Sequence, residues 1–395
     1  MEHPRRFSDL PDYAFPRLRA LLGGRSPGGP PVAMSIGEPQ HPIPAFVPEI
    51  IARHANAFSK YPPNEGTPAL RAAISEWLAR RYGIPAPDPE TRVLPLNGTR
   101  EGLFNAAIAL SPEQKNGRRP AVLLPNPFYQ CYAVAALAAG AEPVYVSAEE
   151  ETGFLPDFGG LSKDLLDRVS VVYICSPANP QGAVADTGYW QRLLALAEAH
   201  DFMIFADECY SEIYRHTAPT GVLDVAHSAG ADPERVVAFH SLSKRSNLAG
   251  LRAGVATGGP KAIKAMKRLR SYAGAPVPLP LQHAAAAVWA DEAHVVENRA
   301  LYHTKFTSAD HILGNMPGYA SPEAGFFLWL KVPDGEAATV KLWTEAGIKV
   351  LPGAYLSRDP QDGSPNPGAA YIRAALVAPE ADVTRGLNAI RAVLG

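Results

Sequence analysis

Short runs of apolar, often β-branched residues recur along the chain from residue 91 onward. Seven of them are TRVLPL, AVLLP, EPVYV, SVVYIC, FMIFAD, RVVAFH and RAGVAT. Between most of these runs, apolar residues return every three or four positions, as in REGLFNAAIAL and TGYWQRLLALAEAHD, which is the spacing of an amphipathic helix. The alternation predicts an α/β fold with a mainly parallel, seven-stranded sheet covered on both faces. Because little chain separates the last two runs, we expect that pair of strands to be antiparallel.

The pattern changes after residue 280. The segment LQHAAAAVWADEAHVVENRALYHTKFTSADHILG predicts a long helix with a break near its middle, and FFLWLKV and AAYIRAALV then belong to a smaller α+β segment. We therefore expect two domains. Residues 46–280 would form a large α/β domain, and residues 1–45 and 281–395 would form a small α+β domain.

The composition excludes several kinds of partner. The chain has 395 residues, of which 47% are hydrophobic and 19% charged, and its net charge is −2. These values are typical of a globular protein with a large core and give no sign of a nucleic-acid or membrane partner. The histidines lack the spacing of metal-binding motifs, so no metal is expected. Neither an apolar leader nor a run of 18 apolar residues is present, which predicts a cytoplasmic protein.

Ligands of open α/β sheets bind at the carboxyl ends of the strands, so the loops after the predicted strands are the candidate sites. The first, NGTREG at residues 97–102, leads directly into a helix. A glycine turn before a helix presents free backbone N–H groups and the positive end of the helix dipole, which suits a phosphate. The alternative is an ordinary turn in which Thr99 caps the helix.

Two further loops carry groups suited to a planar ligand. In NPFYQCY, the aromatic residues 128, 129 and 132 could stack on a ring or simply pack in the core. In SPANPQG, Asn179 displays an amide that both donates and accepts hydrogen bonds, or else closes an Asx-type turn.

The last two loops carry charged groups at the ends of apolar strands. Asp207 ends FMIFAD, and a carboxylate there needs a cation or strong donors, which an arginine or lysine elsewhere in the fold could also supply. Lys244 follows RVVAFH within SLSKRSNLAGLRAG, close to Ser241, Ser243 and Arg252. Although a lone lysine is usually a solvated surface group, this setting indicates a lysine that forms a Schiff base beside a phosphate cup. Taken in order, the five loops indicate a pocket for pyridoxal 5′-phosphate.

These motifs together resemble the fold-type-I pyridoxal-phosphate aminotransferases of class I/II, over nearly the whole chain. The resemblance implies that Lys244 forms the Schiff base with the cofactor and acts as general base, and that Asp207 keeps the ring nitrogen protonated. The other cofactor contacts that it implies are Gly98, Thr99, Arg100, Ser241 and Arg252 at the phosphate, Ser243 beside it, Tyr129 on the ring face, and Tyr210 and Asn179 at the ring oxygen.

The resemblance also implies how the substrate and a second subunit are placed. Arg373, in YIRAALV, would bind the substrate α-carboxylate, and Asn179 would contact the substrate as well. Gly37, in SIGEPQHP, would lie in a loop that closes over the substrate. Tyr61, in YPPNEGTPALR, would reach the phosphate of the neighbouring subunit, so that a homodimer shares its active sites. The expected partners are amino acids and 2-oxo acids.

Within the family, IGEPxHP, PNPFYQ, DECYSEIY, SLSKRSN and DEAHVVENR are similar to the N-succinyldiaminopimelate aminotransferases of lysine biosynthesis. This similarity implies ping-pong amino transfer between N-succinyl-LL-2,6-diaminopimelate and 2-oxoglutarate. NPQG replaces the usual NPTG, and RSYAGAPVP lacks a histidine usual in that loop. Arg17, Arg25 and Arg100 are candidates for binding the distal carboxylates.

Other functions remain open on the sequence alone. One alternative is an aminotransferase for aspartate, an aromatic amino acid or kynurenine, and another is a β-lyase on the same fold. A pyridoxal-phosphate-binding regulator is disfavoured, because such proteins usually add a helical DNA-binding domain, for which we expect neither spare length nor a basic N-terminus here.

Overall fold

The computed structural model describes residues 5–8, 10, 12–360 and 363–395. In this part of the chain the strands are β1 (Val32–Ala33), β2 (Val93–Leu96), β3 (Ala121–Asn126), β4 (Glu142–Ser147), β5 (Val169–Cys175), β6 (Met203–Asp207), β7 (Val236–Ser241), β8 (Gly254–Gly258), β9 (Phe327–Lys331), β10 (Ile348–Lys349), β11 (Leu351–Pro352) and β12 (Tyr371–Ala375).

The α-helices of the same residues are α1 (Ala14–Leu22), α2 (Phe46–Arg53), α3 (Pro68–Tyr82), α4 (Thr99–Leu110), α5 (Gln130–Ala138), α6 (Lys163–Leu166), α7 (Thr187–His200), α8 (Val222–Ser228), α9 (Leu242–Arg245), α10 (Pro260–Ala273), α11 (Leu279–Ala290), α12 (Ala293–Leu313), α13 (Gly335–Ala346) and α14 (Glu380–Leu394). Short 3₁₀ helices occupy Arg5–Phe7, Ala55–Ser59, Glu150–Thr152, Pro233–Arg235, Ala249–Leu251 and Gly353–Leu356.

The predicted seven-stranded sheet is confirmed. Its strand order is β2-β8-β7-β6-β5-β3-β4. Strands β7, β6, β5, β3 and β4 run parallel, whereas β8 is antiparallel to both of its neighbours, β7 and β2. The last two predicted strands therefore pair antiparallel, as their short connection requires. Every residue of β3, β5 and β7 is buried, which explains why their sequences read as continuous apolar runs instead of alternating ones.

Helices cover both faces of this sheet. On one face, α3, α7 and α11 contribute three buried tryptophans, Trp77, Trp190 and Trp289, to the core. On the other face, α4, α5 and α10 contribute side chains such as Leu103 and Met266. The sheet is thus fixed from both sides, and the loops at its carboxyl edge rest on a rigid base.

A second, smaller set of elements completes the chain. Strands β11, β12 and β9 form an antiparallel sheet, and α12 and α13 pack with α14 beside it. The predicted break in the long helix is confirmed, since α11 ends at Ala290 and α12 begins at Ala293. The two residues of β1 pair with β10 and bring the segment that follows them to the mouth of the large sheet. The proposed domain boundaries stay a prediction. None of the helices in the described residues is long and apolar enough to cross a bilayer.

Candidate active site

A cleft of about 380 Å³ opens at the carboxyl ends of the parallel strands. Of the fourteen residues predicted for the site, twelve line it: Gly37, Thr99, Arg100, Tyr129, Asn179, Asp207, Tyr210, Ser241, Ser243, Lys244, Arg252 and Arg373. Gly98 borders it, because a Cβ placed on Gly98 would lie 2.1 Å from Nη2 of Arg252. Tyr61 is fully exposed and does not line the cleft of its own subunit.

One end of the cleft is built to bind an anion. Helix α4 begins at Thr99, and Gly98 precedes it with a φ of 84° and no side chain to cap the helix. The capping turn considered for Thr99 is therefore absent, and the first N–H groups of α4 have no capping partner. The guanidinium of Arg252 lies against Gly98, which only a residue without a side chain permits. A cation beside an uncapped helix N-terminus suits a phosphate dianion.

The lysine segment starts from the same edge of the sheet. Ser241 ends β7, and its Oγ accepts a hydrogen bond of 3.1 Å from the N–H of Ser243, which caps the short helix α9. Lys244 is the third residue of that helix. Its Nζ donates to the carbonyl of Gly37 and lies 5.4 Å from the centre of the Phe326 ring. Burial lowers the pKa of Lys244 from 10.5 to about 8.

Asp207 lies at the end of β6 and is only 6% exposed. Its Oδ2 accepts a hydrogen bond of 2.7 Å from the hydroxyl of Tyr132, and its Oδ1 accepts one of 3.3 Å from the N–H of Cys209. No lysine or arginine of the described chain lies within salt-bridge distance of this carboxylate, so the alternative of an internal ion pair is not seen. Burial raises the pKa of Asp207, against the opposing effect of these two hydrogen bonds. A buried carboxylate without a cation is suited to a ligand that brings one.

Asn179, Tyr210 and Arg373 form a connected group in the same cleft. The Nδ2 of Asn179 donates to the hydroxyl of Tyr210 at 3.4 Å, and its Oδ1 accepts from Nη1 of Arg373 at 2.9 Å. Nη2 of Arg373 donates to the carbonyl of Ser35 at 2.8 Å, and the guanidinium lies over the ring of Phe327. Burial lowers the pKa of Arg373 to about 10. Since no carboxylate of the described residues pairs with it, this guanidinium suits an acidic ligand.

The aromatic wall contains one residue with a role that the sequence did not reveal. Tyr132 was predicted only as one of three aromatic residues of a loop, yet its hydroxyl holds Asp207 and its ring stacks on Tyr173 at 4.5 Å. The spacing of the two tyrosines could have indicated this role. Tyr129 directly precedes α5, and residue 132 follows it by about one helical turn, so both side chains lie on the same side of the helix. The hydroxyl of Tyr129 accepts a hydrogen bond of 2.5 Å from Nε of Arg100 at the cleft mouth.

The residues of the cleft fit pyridoxal 5′-phosphate. The anion site at Gly98 and Arg252 suits its phosphate, and the unpaired carboxylate of Asp207 suits a protonated ring nitrogen. The amine of Lys244 lines the same cleft as both groups. The anion site and Asp207 have charges opposite to those of the cofactor's phosphate and protonated ring nitrogen, and the amine of Lys244 is the group that forms the Schiff base.

Comparisons with known proteins agree with this chemistry. The family model described as aminotransferase class I and II matches residues 30–390. A relative named LL-diaminopimelate aminotransferase, from Dehalococcoides mccartyi, is 31% identical over 98% of this chain and 97% of its own length. The transaminase OxyQ of Streptomyces rimosus, named for 4-dedimethylamino-4-oxo-anhydrotetracycline, is 34% identical over 88% of this chain and 89% of its own length. A solved aminotransferase structure from Neisseria meningitidis is 38% identical, with a TM-score of 0.94 over 99% of this chain and 100% of that one.

Proposed function

This chain belongs to the class I and II aminotransferase family, which makes it a pyridoxal-phosphate-dependent enzyme, and we propose from that premise that it transfers an amino group between N-succinyl-LL-2,6-diaminopimelate and 2-oxoglutarate. The observation that carries the proposal is a pair of guanidinium groups, Arg373 and Arg100, on the same cleft as Lys244. An amino donor with an α-carboxylate and a distal carboxylate matches two such groups.

The proposed mechanism assigns each side chain a separate task. When bound, the cofactor withdraws electrons from the α-carbon of the amino acid and so makes its proton acidic. Arg373 binds the α-carboxylate, and Lys244, with its lowered pKa, takes the α-proton as a neutral amine and returns a proton one position away. Asp207 holds the protonated ring nitrogen, and Tyr210 and Asn179 hold the ring oxygen. A 2-oxo acid then receives the amino group by the reverse path, which gives ping-pong kinetics.

Arg100 is the residue that we assign to the distal carboxylate. Three arginines were candidates for this role, and only Arg100 lines the cleft. Arg17 lies over the ring of Tyr355, 3.9 Å from its centre, and Nη1 of Arg25 donates to the carbonyl of Leu21. The side chain of Arg100 is exposed at the cleft mouth, where an extended substrate would leave the site.

LL-diaminopimelate itself is the second candidate donor. The relatives named LL-diaminopimelate aminotransferase support it, at 30–31% identity. It has the same carbon chain as the proposed substrate but carries a free distal ammonium, whereas succinylation turns that group into a neutral amide and adds a carboxylate. Glu38 lines the cleft and is exposed, so it is the carboxylate that a distal ammonium could meet.

A panel of donors against 2-oxoglutarate tests the substrate. We expect kcat/KM to be highest for N-succinyl-LL-2,6-diaminopimelate, followed by LL-diaminopimelate, with alanine and tyrosine far below. Arg100→Met is expected to lower kcat/KM for the first donor by roughly 10- to 100-fold, the value of a charge-assisted contact, and for alanine by less than about threefold. Arg25→Met serves as the matched control and is expected to behave as the wild type.

Two results would contradict this assignment. If LL-diaminopimelate or an aromatic amino acid is the best donor, the proposed substrate is wrong and the amino transfer stands. If Arg100→Met slows alanine and the succinylated donor equally, Arg100 supports the cofactor through Tyr129 and does not bind the distal group.

We also propose that two copies of the chain share their active sites. Tyr61 is 101% exposed and Tyr272 is 90% exposed, which is unusual for tyrosines of a monomer. A second copy that covers this surface would bring its Tyr61 to the phosphate end of the cleft.

Mixing two inactive variants tests the shared site. Tyr61→Ala and Lys244→Ala are each expected to be impaired as homodimers. After subunit exchange at equal amounts, half of the dimers are mixed and one of their two sites is intact, so we expect about a quarter of the wild-type activity. Activity no higher than the mean of the two unmixed variants would show that Tyr61 does not act across the dimer.

A further inference from the structure

A chain of partly or fully buried hydrogen bonds connects the helix α12 to the backbone of the lysine segment. Nζ of Lys305 lies 2.6 Å from Nε2 of His41, and Nδ1 of His41 lies 2.8 Å from Oδ1 of Asn298. Nδ2 of Asn298 then donates to the carbonyls of Arg245 at 3.3 Å and Lys244 at 3.5 Å. Lys305 is 2% exposed and Asn298 is 4% exposed. None of these side chains other than Lys244 has a task in the mechanism above.

The first donor fixes the direction of every bond in this chain. An ammonium group can only donate, so Nε2 of His41 must accept from Lys305. His41 is therefore neutral, with its proton on Nδ1, and it donates to Oδ1 of Asn298. The amide of Asn247 donates to the same Oδ1 at 3.1 Å. Both bonds leave the amide nitrogen of Asn298 pointing at the carbonyls of Lys244 and Arg245. Burial lowers the pKa of His41, and the nearby charge of Lys305 lowers it further, which agrees with the neutral ring.

Burying the amine of Lys305 at this position is unfavourable for the free energy of folding. No carboxylate of the described chain lies within salt-bridge distance of its buried amine, although the more distant charge of Glu380 partly opposes the effect of burial. The ring of Tyr302 lies 5.3 Å away. Burial lowers the pKa of Lys305 to about 8. An apolar side chain of similar size would be more favourable for folding alone, so stability does not explain the amine.

The same chain of bonds joins two parts of the active site. His41 lies four residues after Gly37, whose carbonyl accepts a hydrogen bond from Lys244 Nζ. Gly37 is packed so closely that a Cβ there would lie 2.5 Å from Phe327. The segment of residues 35–41 is therefore attached to Lys244 at its side chain through Gly37, and at its backbone through His41 and Asn298.

We propose that Asn298, oriented by His41 and Lys305, is a positioning residue that holds the backbone of Lys244 and the substrate-facing segment 35–41 as one unit. The amine of Lys244 must reach both the α-carbon and the cofactor, and small errors in such placement slow proton transfer strongly. This inference rests on the role given to Lys244 in the proposed function. It does not depend on which amino acid is the donor.

Two replacements of His41 separate positioning from packing. In His41→Asn the side-chain amide can replace Nδ1–H and still donate to Asn298, whereas His41→Leu fills similar space and cannot donate. With whichever donor the wild type uses, we expect His41→Leu and Asn298→Leu to lower kcat by roughly 10-fold or more, and His41→Asn by less than about threefold. KM and the Kd for pyridoxal 5′-phosphate are expected to change by less than about threefold in all three.

A spectroscopic readout makes the test independent of turnover. The visible absorbance of the bound cofactor titrates with the nitrogen of Lys244, and we expect its midpoint to move by about half a pH unit in His41→Leu and Asn298→Leu but not in His41→Asn. The titratable groups that face Lys244 are unchanged in these variants: Cys209, Arg373, Glu38 and Asp207. A shift therefore reports a displaced lysine.

Lys305→Met provides a second variant in case those at His41 or Asn298 fold poorly. It removes the buried amine, so we expect Tm to rise while kcat falls, because His41 loses the donor that orients its ring. Thr304→Ala, on the exposed side of the same helix, is the control and should change neither.

The inference is overturned if His41→Leu and Lys305→Met alter Tm only, with kcat and the absorbance midpoint as in the wild type. It is also overturned if the cofactor Kd rises in proportion to the loss of kcat. A wild type without any transamination would instead refute the proposed function.

Discussion

Lys244→Ala is expected to abolish amino transfer, with kcat reduced by about 10⁴-fold or more. Lys244 is the only lysine of the described residues that lines the cleft, so no neighbour can replace it as a base. Lys244→Arg should be equally inactive, because a guanidinium keeps the positive charge but does not lose a proton near neutral pH. Lys264→Ala, the same change at an exposed lysine, is the matched control. Turnover within tenfold of the wild type in Lys244→Ala would refute the role of this residue.

The pH dependence of the same amine gives a second measurement. A lysine with a pKa of about 8 is largely neutral well below the pH at which a free lysine, with a pKa of 10.5, loses its proton. Since only the neutral amine attacks the cofactor, the rate at which the cofactor-free protein takes up pyridoxal 5′-phosphate should rise with pH and level off above about 8. A midpoint near 10 would show that burial does not lower this pKa.

The sheet and the order of the site loops could be predicted because their signals are local. The strands β3, β5 and β7 are buried along their whole length, so each reads as a mostly apolar run without alternation. Asp207 and Lys244 stand out because each is a charged residue in or just after such a run. Their approximate location at one edge of the sheet then follows from the rule that parallel strands end on the same side.

The supporting contacts could not be predicted because they join residues far apart in the chain. His41 meets Asn298 across 257 positions and Lys305 across 264, and no periodicity relates such positions. Tyr132 was visible only as an aromatic residue near a strand, since its contact with Asp207 spans 75 positions. For the same reason, the sequence could not show which of Arg17, Arg25 and Arg100 lies where it could bind the distal carboxylate.

Asp207→Asn is expected to lower kcat by about 10²- to 10³-fold while leaving the shape of the cleft unchanged. The amide is nearly the same size as the carboxylate and can still bond to Tyr132, but it has no charge to hold a protonated ring nitrogen. Tyr132→Phe removes one hydrogen bond to the carboxylate but leaves its charge in place, so it should lower kcat less than Asp207→Asn does. An equal loss in the two variants would show that the hydrogen bond, and not the charge, is what matters.

The same substitution should change stability in opposite directions with and without the cofactor. In the cofactor-free protein, burial raises the pKa of Asp207 above its ordinary value, so its ionised form opposes folding once the pH rises above the unfolded pKa. Asp207→Asn removes that penalty, and Tm of the cofactor-free protein at neutral pH should therefore rise. The increase in Tm that pyridoxal 5′-phosphate produces should shrink, because the carboxylate no longer offsets the charge of the ring. If Asp207→Asn instead lowers Tm without cofactor and leaves the cofactor's effect intact, the carboxylate is stabilised within the protein itself and does not depend on a cationic ligand.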